Sequence, residues 1–209
     1  LRTPLTTLIG PLEMLQNGSF GDLGETQQEI VAMSTRSGHR LLGLVNELLD
    51  VAKMESGELK LNLHQIQVAQ IITEATEMVA RVHSGDTTRL TYDIAPDLPP
   101  ILADEDLLRR VVINLVGNAL KYTTDGAITV GARRGCGPVN SAPGMCDEPA
   151  SSNAILLWVQ DEGDGIPPED QERIFDKWGQ AQARREGRRM STGLGLTFCK
   201  LAVEAHGGH

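Results

Sequence analysis

Aromatic residues are nearly missing from this 209-residue sequence: three Phe, two Tyr and two Trp, 3% in all. Large rings cannot fill its interior, so Leu, Val, Ile and Ala must, which suits helix on helix and helices laid on a sheet. Cysteine is as scarce. Cys136, Cys146 and Cys199 are odd in number and lack CxxC spacing, so neither a disulfide framework nor a zinc site is expected. The first two share a Gly/Pro/Ser-rich stretch and read as reduced thiols in a loop, whereas Cys199 falls in an apolar helical pattern and reads as core. Basic residues are outnumbered: 19 Lys and Arg against 28 Asp and Glu leave a formal charge of -9. A phosphate backbone or an acidic lipid surface needs a basic footprint, so nucleic acid is not an expected partner. No apolar run reaches membrane-spanning length, and neither an initiator Met nor a signal peptide stands at the start. The expectation is a cytoplasmic chain cut from a longer one, with any membrane anchor in other parts of the parent.

What is present begins with helical periodicity. Leu5, Leu8, Leu12 and Leu15 recur at spacings of three and four. Residues 17–22 are dense in turn formers and reverse the chain. A second helix is expected from about Thr26 to Glu55, with Ile30, Ser34, Ser37, Leu41, Leu44, Leu48 and Val51 along one seam. Leu42, Val45 and Leu49 widen that seam beyond what one partner helix covers. A homodimer closing a four-helix bundle is the expectation, and packing on the rest of the same chain is the alternative. After Ser56-Gly57 the pattern changes. Alternation over 59–63 predicts an edge strand; helices are expected over Val68–Ala80, Asp104–Tyr122 and Leu194–Ala205, and strands over Leu90–Ile94, Ala127–Ala132 and Ala154–Gln160. Residues 135–153 form a loop longer than a hairpin needs. The fold class is α+β: a helical hairpin, residues 1–64, then an α/β sandwich with helices on one face, residues 65–209.

Three stretches carry chemistry. Asn114, Asn118 and Lys121 stand at i, i+4 and i+7, on one face of an otherwise apolar helix. Two carboxamides and an ammonium there can hold a hydrated magnesium ion and phosphate oxygens; a solvated polar stripe is the plainer reading. Asp161-Glu-Gly163-Asp-Gly165-Ile166 follows a strand, where the carboxylate can accept from an exocyclic amine and the glycines let backbone approach a ligand. Alone, this is also what an ordinary turn looks like. Thr192-Gly193-Leu194-Gly195-Leu196 feeds a helix N-terminus, a phosphate cradle made of backbone amides.

Together and in this order, the stretches resemble the core of two-component sensor histidine kinases. LRTPL is similar to the tail of the phosphoacceptor motif, NLVGNALKYT to the N box, DEGDGIP and STGLGL to the two glycine boxes, and IFDKW to the F box. The resemblance implies an ATPase domain of the histidine kinase/gyrase type that binds ATP and Mg2+. Its parent would phosphorylate a histidine two positions before Leu1, then an aspartate on a response-regulator receiver domain. By the same resemblance Asn118 coordinates magnesium with Asn114 beside it, Lys121 contacts phosphates and Tyr122 packs near adenine. Asp161 accepts from the adenine amino group; Gly163, Gly165 and Ile166 shape the base pocket; Thr192, Gly193, Leu194, Gly195 and Leu196 close over the phosphates. Phe175 opens a lid that runs to Ser191. Thr3 holds the place of a polar residue used in dephosphorylating the partner, and Pro4 supplies a bend beside the reactive histidine.

Gyrase-like relatives place a glutamate as general base one turn before the magnesium asparagine. Here that place is Asn114, an amide that takes no proton at neutral pH, so ATP is expected to be kept from water until a better nucleophile arrives. This chain alone is expected to bind Mg-ATP without phosphorylating itself. The alternatives are an ATP-hydrolysing clamp and a non-catalytic dimeric scaffold. None of the five histidines carries metal-ligand spacing or the acidic neighbour of a phosphoacceptor.

Overall fold

The computed structural model describes residues 2–82, 89–135, 154–177 and 193–209. Thr192, His83, Cys136, Cys146, nearly all of the long loop and the lid beyond Lys177 lie outside them. The chain divides into two compact units, Leu1–Gly57 and Glu58–His209.

The first unit is a hairpin of α1 (Arg2–Gln16) and α2 (Glu25–Glu55). Gly18 and Gly21, both at positive φ, turn the chain between them. At the start of α2 the Gln27 side chain accepts the Gly24 N–H at 3.0 Å, and Glu25 and Lys53 sit at the helix ends that favour their charges. The apolar seam of α1 differs from expectation by one residue. Ile9 is buried, while Leu8 is 65% exposed. The reason is close approach: a Cβ on Gly38 of α2 would stand 2.8 Å from Ile9 Cγ1, so Ile9 fills the notch that glycine leaves. Glu13 meets His39 at 2.8 Å one turn further along. Ile30, Leu41 and Leu48 lie about a quarter turn round α2 from Gly38, and they are exposed.

Among the described residues, the second unit holds two small sheets and three α-helices. β1 (His64–Ile66) pairs antiparallel with β3 (Ile101–Ala103). The strand expected over 59–63 is therefore displaced to 64–66. Residues 58–63 are tied elsewhere, the Asn62 N–H donating to Asp104 Oδ2 at 2.9 Å, which also puts the division between units ahead of the expected 64. β2 (Arg89–Ile94) runs parallel to β4 (Ala127–Arg134), and β4 antiparallel to β5 (Ile155–Asp161). α3 (Val68–Val82) and α4 (Glu105–Tyr122) cover one face of this sheet. Val68, Ile72, Ala75 and Val79 of α3, Val112, Val116, Ala119 and Leu120 of α4, and Ile128, Val130 and Ala132 of β4 form one aliphatic core. Scarce aromatics are thus accommodated by packing branched chains, and the helices do lie on one face.

The opposite face of β4 carries Thr129, whose hydroxyl is 2.9 Å from that of Thr91, and Gly131, against which Trp158 lies. A Cβ at 131 would fall 2.1 Å from the indole. Asp104 caps α4, its Oδ1 accepting the Leu107 N–H at 3.1 Å, and α5 (Gly195–Ala205) packs on α4.

Candidate functional site

α4 and α5 run antiparallel, and this decides where the polar face of α4 opens. Leu107 and Val111 occupy the same side of α4 as Asn114, Asn118 and Lys121, but the first two are buried. The buried Cys199 thiol of α5 reaches the Val111 carbonyl at 3.8 Å, and the Arg110 guanidinium lies 4.1 Å from the centre of the buried Phe198 ring. Among the described residues, the cover that α5 lays on α4 ends at its first residue, Gly195. A Cβ on Gly195 would stand 3.2 Å from Asn114 Oδ1, so the second glycine run closes on the first of the two asparagines. From there Asn118 and Lys121 continue toward the C-terminal end of α4 in front of the α5 N-terminus, the end of a helix whose free N–H groups and dipole favour anions.

Asn114 also faces the Cys199 thiol. Burial pushes that thiol up to about 12, with the Asn114 carboxamide acting the other way. Asn114 thus lies against both the glycine run and Cys199 of α5, and it, Asn118 and Lys121 are all half-buried. Lys121 Nζ sits 5.1 Å from the Tyr122 ring centre.

The first glycine loop meets the other end of the same helix. A Cβ on Gly163 would lie 2.7 Å from the Tyr122 carbonyl oxygen and 2.8 Å from Asp161 Oδ1, so only glycine lets the loop come this near. The Gly163 N–H donates to Asp161 Oδ1 at 2.9 Å, fixing the carboxylate at the end of β5. Asn114 and Tyr122 are eight residues apart, about 12 Å along the axis. Two glycine loops from distant parts of the chain thus converge on one polar edge.

The remaining expected residues divide by burial. Leu194 is 1% exposed and has its side chain in the core, so what it can offer a ligand is backbone. Gly193 and Gly165 take positive φ, 70° and 74°. Ile166 and Phe175 are partly exposed, and the short turn Arg173–Phe175 packs on α5. Thr3 belongs to the first unit and the other candidates to the second. One residue escaped the sequence reading: Glu162, whose Oε2 accepts the Ala127 N–H at 2.8 Å and lies against Gly126, ties the Asp161 loop to the start of β4. Its only signal was its place inside the glycine motif.

Residues 103–209, just over half of the chain, match the family described as Histidine kinase-, DNA gyrase B-, and HSP90-like ATPase. The chain belongs to this ATPase family. Residues 1–57 match the His Kinase A (phospho-acceptor) domain, so hairpin and ATPase domain together are a two-component sensor histidine kinase core. Relatives of this kinase core include an uncharacterised sensor-like histidine kinase of Rhizobium meliloti (strain 1021), 32% identical over the whole chain and 37% of the relative. The adaptive-response sensory kinase SasA of Crocosphaera subtropica is 30% identical over the whole chain and 51% of its own length. The signal transduction histidine-protein kinase BarA of Escherichia coli K12 is 31% identical, with 21% of its length covered. The chain thus spans from about a fifth to a half of these relatives. Among solved structures, full-length ShkA in complex with AMPPNP superposes with a TM-score of 0.78 at 28% identity, over 99% of this chain and 39% of that one.

Proposed function

We propose that this chain is the nucleotide-binding and dimerising part of a protein-histidine kinase, which transfers the γ-phosphoryl group of ATP to a histidine and from there to an aspartate of a response-regulator receiver domain. The observation that carries the reading is the closure of both glycine loops on α4, Gly195 at Asn114 and Gly163 at Tyr122. In this reading Asp161 accepts from the adenine amino group with Oδ2 while Oδ1 is held by its own loop. Gly163, Gly165, Ile166 and Tyr122 line the base. Lys121 and the N–H groups at the α5 N-terminus, with Thr192, Gly193 and Leu196, meet the phosphates, and Phe175 stands at the root of the lid.

The residues present suit magnesium. A half-buried carboxamide oxygen, that of Asn118, would fit an ion that keeps most of its waters and takes phosphate oxygens as ligands. Asn118 is that ligand, and the ion neutralises charge on the transferred group when bound. Asn114 stands where a general base would be needed to activate water, and an amide cannot serve. The chain's own work is to position the triphosphate for an in-line acceptor, the histidine that the family motif places two positions before Leu1. Thr3, one turn of helix from that histidine, serves the separate dephosphorylation of the partner's aspartate by water.

The exposed row Ile30, Leu41 and Leu48 on α2 supports homodimerisation, since single helices rarely leave such a stripe bare. No helix among the described residues is long and apolar enough to cross a membrane; the cytoplasm is assigned on a separate ground, the likeness of both regions to a sensor kinase core.

Thermal melting of the 209-residue chain tests the reading. ATP with magnesium raises the melting temperature, Asn118→Ala removes most of the rise, and steady phosphate release stays slow. Brisk release would make it a hydrolysing clamp; no stabilisation would make it a scaffold.

A further inference from the structure

The ties between α4 and α5 share one register: Asp104 with His206, Val111 with Cys199, Asn114 with Gly195. Residue numbers in each pair rise on one helix as they fall on the other, as antiparallel helices demand. Two of the ties are soft. A thiol 3.8 Å from a carbonyl and the close approach of Gly195 to Asn114 both tolerate sliding. The third is specific.

The Asp104 N–H points at His206 Nε2 across 2.9 Å. A backbone amide can only donate, so Nε2 must be an unprotonated acceptor. His206 Nδ1 lies 2.7 Å from the Ala202 carbonyl, which can only accept, so Nδ1 must carry the proton. Both ring nitrogens are thereby assigned by their partners: His206 is a neutral imidazole in the Nδ1–H form. The backbone around it is fixed as well. Gly207, at φ 75°, ends α5 in the left-handed region, and the Gly208 N–H donates back to the Val203 carbonyl at 3.0 Å. The helix end therefore holds the ring against the first residue of the neighbouring cap. Asp104 is equally committed, with Oδ1 on the Leu107 N–H and Oδ2 on the Asn62 N–H.

We infer that His206 is a positioning residue for nucleotide binding: by accepting the Asp104 N–H it sets the register of α5 on α4, and so places Gly195 against Asn114, about 16 Å away along α5. The inference rests on the proposed nucleotide site. Without this bond α5 samples shifted registers, and a nucleotide must spend binding energy selecting the one in which its N-terminus faces Asn118 and Lys121.

Two conservative variants separate this role from ordinary capping. In His206→Gln the carboxamide oxygen reaches the place of Nε2 and keeps the bond to Asp104. In His206→Asn the amide reaches only the place of Nδ1, keeping the local bond to Ala202 and losing the cross-helix one. Titration calorimetry of the 209-residue chain with ATP and magnesium is expected to give Gln within about twofold of wild type and Asn weakened about tenfold, the effect of one lost hydrogen bond. Circular dichroism shows both variants folded. Equal binding by the two variants, or the opposite order, overturns the inference. If wild type binds no nucleotide, the proposed function fails, and the latch is then decided by 15N NMR of His206: the Nδ1–H tautomer upholds it and the Nε2–H tautomer sinks it.

Discussion

The hairpin and the ATPase domain spend their apolar residues differently. Unit two encloses a large aliphatic core drawn from α3, α4 and β4, with a smaller buried cluster of Ile66, Ile71 and Ala103 beside it. Unit one buries little by itself: among its described apolar side chains only Ile9 and Val51 are buried, while Leu8, Met14, Phe20, Ile30, Met33, Leu41 and Leu48 remain exposed. Similar residue types thus encode a self-contained body in one region and an unfinished surface in the other. A domain that builds a site must fix its own geometry, whereas a hairpin that a second copy completes, as in the dimer proposed above, need not.

The largest effect should come from the unfinished surface. Leu41→Asp with Leu48→Asp removes four leucines from a dimer seam, on the order of 6–12 kcal/mol per dimer. Light scattering is expected to show monomers, with ATP binding unchanged; a surviving dimer would place the seam elsewhere. Next, Ile72→Ala opens a cavity in the aliphatic core and is expected to cost about 2–5 kcal/mol. Denaturant melting should show unit two weakened and hairpin helicity kept, and a joint loss would mean the two regions fold as one. Smaller again, Glu162→Ala frees the Ala127 N–H and is expected to cost about 1 kcal/mol in stability, while weakening nucleotide binding more than stability, because the loop carrying Asp161 loses its anchor.

The smallest is Arg109→Met. Hydrogen bonds from Gln70 and then Arg109 hold the Glu74 carboxyl below its usual range, and those from Arg109 and then His64 do the same for Glu105. A carboxyl depressed in the folded state stabilises at neutral pH and loses that contribution as pH falls through its folded value. The variant should therefore be slightly less stable at pH 7 and lose less on acidification below the ordinary carboxylate range. Both carboxyls are exposed, so an NMR titration will read this better than a melting curve.

Much of this was legible in the sequence because it is local. The long helices announce themselves by period, and the three polar residues of α4 share a face by arithmetic alone. What was not legible depended on partners far along the chain. Ile9 rather than Leu8 is buried because Gly38 leaves room for it. β3 has three residues after Pro99-Pro100 and no pattern to read; it exists because His64–Ile66 pairs with it. Of the proposed site, the glycine loops and Asp161 stand out in the sequence as candidates, but not that Leu194 turns inward or that Glu162 ties the loop to β4.

Trp158 resting on Gly131 joins two positions 27 residues apart into a single evolutionary choice. A methyl group arriving first at 131 collides with the ring and is rejected. A smaller residue arriving first at 158 leaves a hollow that a later side chain at 131 can fill. The two positions are therefore sterically coupled: Trp158 must shift or be replaced before position 131 can carry a side chain.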